Sequence, residues 1–164
     1  MQSTTIPTSE SLTVEFKTSF NEDVIETLVA FSNTKGGTVY VGVTDNGEVK
    51  GISMGKETIQ NWVNEVKTKT ALQIIHDVEI HTINNKTVVS LYAMEFPIKP
   101  VSTRGRYYKR IGSANHLLSV VEISDLHMQS MQNSWDSYIY QGAQIPDLNT
   151  DKIEKFILKV NQVK

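Results

Sequence analysis

No cysteine occurs anywhere in this sequence of 164 residues. That absence removes disulfide frameworks, thiolate zinc sites and cysteine nucleophiles together. It is compatible with a reducing compartment. No apolar run approaches the length of a membrane span, and the opening MQSTTIPTSESLTVEFK has neither a cationic start nor the apolar centre of a secretory leader. A cytoplasmic protein with no membrane partner is therefore expected. Prolines number only four, and no repeat or low-complexity segment stands out. At this length a chain can bury one real core without covalent staples.

Acidic residues are missing from one long window. Between Glu95 and Glu122 there is none, while Lys99, Arg104, Arg106, Lys109 and Arg110 all fall inside it. The window carries +5 in a chain whose net charge is −2, leaving −7 elsewhere. Such an asymmetry points to an anionic partner for that segment.

What is present reads as alternating strands and helices. Leu12, Val14 and Phe16 alternate with Thr13, Glu15 and Lys17, the period of a strand with one buried face. From Asn21, a plausible N-cap, Val24, Ile25, Leu28, Val29 and Phe31 fall at helical spacing, with Glu22 and Asp23 in the first turn. That helix should stop at Asn33-Thr34-Lys35-Gly36-Gly37, where paired glycines suit a C-terminal cap. Phosphate cradles use helix N-termini, so this loop has the wrong polarity for one. Lys35 stays a candidate contact to a nucleic-acid backbone. Thr38 to Val43 reads as a doubly buried strand, Asp45-Asn46-Gly47 as a type I′ turn, and Val49 and Ile52 as the start of a return strand.

Gly51 to Glu57 imitates a Walker A loop but has one residue too few between its glycines and a Glu where Ser or Thr belongs. Ile59, Trp62, Val63 and Val66 form the stripe of a second helix. Two strands, Ile74 to Ile83 and Thr87 to Phe96, meet at Asn84-Asn85-Lys86, and Arg106 to Ile111 is a further strand with a cationic face. Ser119 and Glu122 form a capping box for a third helix. Residues 133–149 read as a linker after a polar leader at 1–8 and a domain at 9–132. Thr150 is expected to cap a terminal helix, 150–164, striped with Ile153, Phe156, Ile157 and Val160, that leads into a missing C-terminal region. The four histidines lack metal-ligand spacing, and Trp62 and Trp135 are expected to pack.

Three blocks now stand out together: EFK at 15–17, AFSNTKGGTVYVGVTDNGEVKGI at 30–52, and KPVSTRGRYYKRIGSANHLLSVVEI at 99–123. In this order and spacing, over residues 9–130, they resemble the Schlafen AlbA-type domain, a nucleic-acid-binding module. The resemblance implies the N-terminal module of a bacterial transcriptional regulator, often called helicase-related, with an ATPase-like or winged-helix region to follow. Related domains in vertebrate Schlafen proteins cleave structured RNA with three carboxylates and a divalent metal. That carries over to Glu10 and Glu15 of the ExxxxEFK motif and to Asp45, with Glu48 as a competitor, holding Mg²⁺ or Mn²⁺. Those nucleases pair two lobes, so a single copy would need to form a homodimer.

The fold expected is α+β: a mixed, largely antiparallel sheet of about five or six strands with three main helices. DNA or structured RNA is the expected partner, bound by Lys99, Arg104, Arg106, Lys109, Arg110 and Lys35 on phosphates, with Tyr107 or Tyr108 near bases. No cofactor is required for that reading. Charges that merely protect an edge strand from aggregation are the bland alternative for this patch. For Glu15 the alternative is a simple pairing with Lys17, because residues five apart in a strand face opposite ways and converge only if the chain bends between Ser11 and Thr13. A metal-dependent ribonuclease and a dimerising interaction module are the other functional readings.

Overall fold

The alternating segment forms β1 (Val14–Lys17) and the periodic one α1 (Glu22–Ser32) in this computed structural model, which describes residues 6–70, 72–134 and 149–161. Asn21 caps α1, its Oδ1 accepting from the Val24 N–H at 3.3 Å. The chain then enters β2 (Gly37–Val41), parallel to β1, so β1-α1-β2 is a crossover unit. After α2 (Thr58–Thr70), β3 (Ile75–Ile83) and β4 (Lys86–Ala93) form a hairpin. Its turn residues Asn84 and Asn85 have φ of 50° and 60°, as a type I′ turn demands. β4 pairs antiparallel with β2, giving the order β1-β2-β4-β3. A separate antiparallel pair, β5 (Tyr108–Ile111) and β6 (Ala114–Leu117), precedes α3 (Val120–Ser134).

The architecture is α+β as expected, its strands divided between a mixed sheet of four and a sheet of two. By contacts the chain divides into two units, Met1–Met131 and Gln132–Lys164. The second contains α4 (Thr150–Asn161), capped by Asn149 rather than Thr150: the Asn149 Oδ1 accepts from the Lys152 N–H at 3.1 Å. Residues 135–148, which include Trp135 and most of the expected linker, lie outside the described residues, as do residues 1–5 of the leader and the side chains of the stripe expected on α4.

Register explains the core. Val39, Val41, Val89, Leu91 and Ala93 project to the face covered by α1, and Val66 of α2 joins them. Phe16, Val43 and Val88 project to the other face, where Ile6, Val14, Tyr40 and Val49 pack around them. α1 touches the four-stranded sheet and also β5 and β6, which is why it is buried from Thr27 to Ser32 without a polar stripe.

Two expectations fail for reasons of neighbourhood. The return strand at Val49 and Ile52 shrinks to a single bridge, Val43 to Val49, because β1 and β4 already occupy both edges of β2. The Asp45-Asn46-Gly47 turn is not type I′ either, since only Gly47 has positive φ and the Gly47 N–H closes back on the Thr44 carbonyl at 2.8 Å. β6 adds a strand beyond those expected, and the two-residue Gly112-Ser113 turn after β5 is its signal in the sequence.

The NTKGG segment ends α1 as expected. The Gly36 N–H donates to the Phe31 carbonyl at 2.8 Å with φ of 73°, and a Cβ there would stand 2.8 Å from the Ala93 carbonyl oxygen. Gly36→Ala should therefore cost at least about 1 kcal/mol, and on the order of 3, from left-handed strain and collision with backbone. Urea unfolding of the variant against wild type measures it.

Candidate nucleic-acid interface

The acid-free window becomes the chain from the end of β4 through β6, laid across α1. Each of its five cations has a definite fate. Arg110 is the most constrained, with its side chain only 1% exposed. Its guanidinium pairs with the Glu15 carboxylate, donates to Asn115 Oδ1 at 2.8 Å and to the Ser11 and Val14 carbonyls at 3.2 and 3.3 Å, and lies 5.1 Å from the centre of the Phe31 ring. All three nitrogens of its donor fork thereby find acceptors within the protein.

Three of the other four window cations meet acids from outside the window. Lys99 pairs with Glu95, Lys109 with Glu122, and Arg104 Nη2 with Glu22 Oε2 at 2.9 Å. Glu122 also accepts from the Ser119 N–H and hydroxyl at 2.9 Å, so the capping box and the Lys109 contact share one carboxylate. These bonds, the one from Lys109 foremost, hold its pKa well down, at about 2 against an ordinary 4.5. Arg106 alone of the five has no carboxylate partner among the described residues.

Arg104 and Arg106 sit on a tight turn. Thr103 and Arg106 exchange backbone hydrogen bonds at 3.0 and 2.9 Å around Arg104 and Gly105, whose φ of 49° and 72° define a type I′ geometry. A Cβ on Gly105 would find nothing within 4 Å, so the turn projects into open space. Arg104 is 62% exposed on its side chain and Arg106 is exposed.

Lys35 is exposed on the turn after α1 and has no ion pair among the described residues. Buried Asn33 ties that turn to the basic window: its amide donates to the Val101 and Tyr108 carbonyls at 2.8 and 2.9 Å and accepts from the Val101 N–H at 2.7 Å. Spacing along the chain carries no signal of this link, which joins residues 68 and 75 positions apart.

The tyrosines separate. Tyr108 is 7% exposed and its hydroxyl donates to Glu26 at 2.8 Å, with burial first and then that bond raising its pKa. Tyr107, half-buried, is the ring left near the surface. Tyr108 and Arg110 share a strand face, and that face turns to α1 and β1. Both leave the set of candidate contacts, because a stacking or phosphate-binding group must reach solvent.

A cavity of 280 Å³ lies beside this region, walled in part by Thr34, Lys109, Arg110, Leu118 and Leu126. Its two cations are both ion-paired, so it is not an anion pocket.

The carboxylates do not assemble into a metal site. The chain does bend at Ser11 to Val14, and the bend carries Glu10 Oε1 to the Phe16 N–H at 3.0 Å. Glu15, however, has one oxygen on Lys17 and the other on Arg110, while Asp45 and Glu48 are exposed around the Thr44 turn. Among the described residues no group of three or more potential ligands could hold a metal ion. Bound divalent metal does not fit Glu15, whose charge is already shared by two cations. Nor do serine and histidine make a relay: Ser90 Oγ at 2.8 Å and Glu79 Oε2 at 3.8 Å meet the same His81 nitrogen, and Ser90 is buried.

An α+β domain with a parallel β1-α1-β2 crossover and an arginine-bearing turn across the helix defines the class. Within it, the chain belongs to the Schlafen, AlbA_2 family, whose model matches residues 10–119. The fold is similar to part of the DIP2311 protein of Corynebacterium diphtheriae (TM-score 0.58, 17% identity), covering 70% of this chain and 23% of that one. A weaker likeness, TM-score 0.44 at 19% identity, links 66% of this chain to 82% of the N-terminal domain of a RecG-related protein from Nitrosomonas europaea. No protein of curated function matches the sequence. No helix among the described residues is long and apolar enough to cross a membrane.

Two predictions separate architecture from binding here. Arg110→Ala leaves Glu15 buried without its main partner and should cost about 3 to 5 kcal/mol, whereas Arg106→Ala should stay within about 0.5 kcal/mol; paired urea melts give both numbers. The depressed Glu122 carboxyl stabilises the fold fully above pH 4.5, and that contribution is lost as pH falls toward 2. Glu122→Gln should lose less stability than wild type across that interval, as read by thermal melts in acid.

Proposed function

We propose that this domain binds nucleic acid through the Thr103–Arg106 turn, with Lys35 and Tyr107 on the flanks and Lys99 and Lys109 at the margin. The observation that carries the reading is the turn itself. It holds two exposed arginines, one of them at a positive φ that non-glycine residues other than Asn and Asp seldom adopt. Guanidinium groups there neutralise phosphates and release counterions, which makes the affinity salt-dependent. A half-buried tyrosine next to Arg106 adds a surface on which an unpaired base can stack, worth about 1 to 3 kcal/mol.

We infer likewise that the domain serves a longer, cytoplasmic transcriptional regulator. The support is the family resemblance, together with the length of the DIP2311 protein, of which this chain spans 23%. The ribonuclease alternative draws no support from the carboxylates, which do not converge.

Fluorescence anisotropy of labelled duplex DNA and transfer RNA at several salt concentrations, in EDTA, tests the reading. Arg104→Ala/Arg106→Ala should weaken binding and flatten the plot of log K against log salt by about 1 for each arginine removed. Unchanged affinity and slope in the double variant, or no binding by wild type at low salt, would refute the site.

A further inference from the structure

Arg104 does not stand alone on its side of the turn. Glu22 Oε2 accepts from Lys69 Nζ at 2.7 Å and is ion-paired with Arg104 Nη2 at 2.9 Å, so two cations from distant parts of the chain converge on one oxygen. Lys69 belongs to the last turn of α2 and lies well outside the basic window. Its bond to Glu22, ahead of that to Glu65 at 2.6 Å, raises its pKa, so it is a full cation at neutral pH. The remaining Glu22 oxygen, Oε1, is buried without a hydrogen-bond partner. The carboxylate is thus engaged through one atom only, at the base of an exposed turn.

We propose that Lys69 and Arg104 form a phosphate subsite that Glu22 occupies in the unliganded protein. The inference rests on the nucleic-acid reading above and adds to it a second contact residue, Lys69, and an internal competitor. A carboxylate oxygen held by a lysine and an arginine occupies the place a phosphodiester oxygen takes, and both cations bind either anion with charge-assisted bonds. Phosphate offers more acceptor oxygens to the two donors than the single Glu22 oxygen now used. The exchange is cheap because the groups are not deeply buried: the side chains of Arg104, Lys69 and Glu22 are 62%, 23% and 29% exposed. Screened pairs of this kind are worth little individually, so a polyanion anchored by Arg106 next door can displace the carboxylate. In this arrangement Glu22 sets the threshold of affinity, rejecting weak anions and yielding to a strand of phosphates.

Glu22→Gln removes the competing charge, and Glu22→Asp keeps a first-turn anion for the α1 dipole while shortening its reach. In anisotropy titrations with labelled duplex DNA, both variants should bind more tightly than wild type, Glu22→Gln on the order of fivefold and with a steeper salt slope. Lys69→Gln should weaken binding and flatten the slope by about 1. Wild-type affinity and slope in both Glu22 variants, with thermal melts showing them folded, would overturn the subsite. If Arg106→Ala still weakened binding, the broader reading would survive that result; absence of binding by wild type at low salt would remove both. Should the variants fail to fold, the ¹³C shift of the Glu22 carboxyl in wild type decides: it should move on DNA addition, and a stationary signal refutes displacement.

Discussion

The ion pair between Glu15 and Arg110 is the constraint around which this domain is arranged. A charge buried this deeply is tolerated only if its donors are filled, and Arg110 fills them from β1, β6 and the turn before β1. Those contacts pin the small β5–β6 sheet against α1, where Asn115 also donates to Thr27 Oγ1 at 2.7 Å. With β5 pinned at one end and Asn33 gripping Val101 and Tyr108 at the other, the stretch between has little freedom. The Thr103–Arg106 turn is consequently a rigid projection from a packed base. A turn mounted this way has little backbone conformational entropy left to lose.

The same pair shows why a run of positive charge is a poor map of a binding surface. The window from Lys99 to Arg110 lacks acids in sequence, yet Glu15, Glu22, Glu95 and Glu122 all come to it in space. Charge that looks available along the chain is largely spent in the fold. What remains exposed and without a carboxylate partner among the described residues is Arg106, with Lys35 on the neighbouring turn. The cations that folding leaves over, and pairs as shallow as Arg104–Glu22, are the ones whose charge still faces solvent.

The carboxylates carry the complementary lesson. The ExxxxEFK motif places Glu10 and Glu15 close in sequence, and the bend at Ser11 needed to bring them together is present. Its product is structural: Glu10 caps a β1 amide and Glu15 neutralises a buried arginine. In this domain both carboxylates of the motif hold β1 to its neighbours.

Much of this was legible from residue order. Local periodicity marked β1, α1, α2 and the β3–β4 hairpin, because which side chains line one face of a strand or helix depends only on nearby spacing. Asn21, the Ser119–Glu122 box and the glycine stop after Ser32 were likewise readable, since caps act within one turn. Residue order could not say which face of β5 would be buried, because alternation defines two faces and only the arrival of α1 and β1 chooses between them. Nor could it show that β2 has no free edge for a return strand, or that Lys69 and Glu22, 47 residues apart, meet at Arg104. Spacing along the chain determined the elements and the charges they carry; the tertiary structure alone decided which charges neutralise one another, since Coulomb attraction acts through space and takes no account of sequence distance.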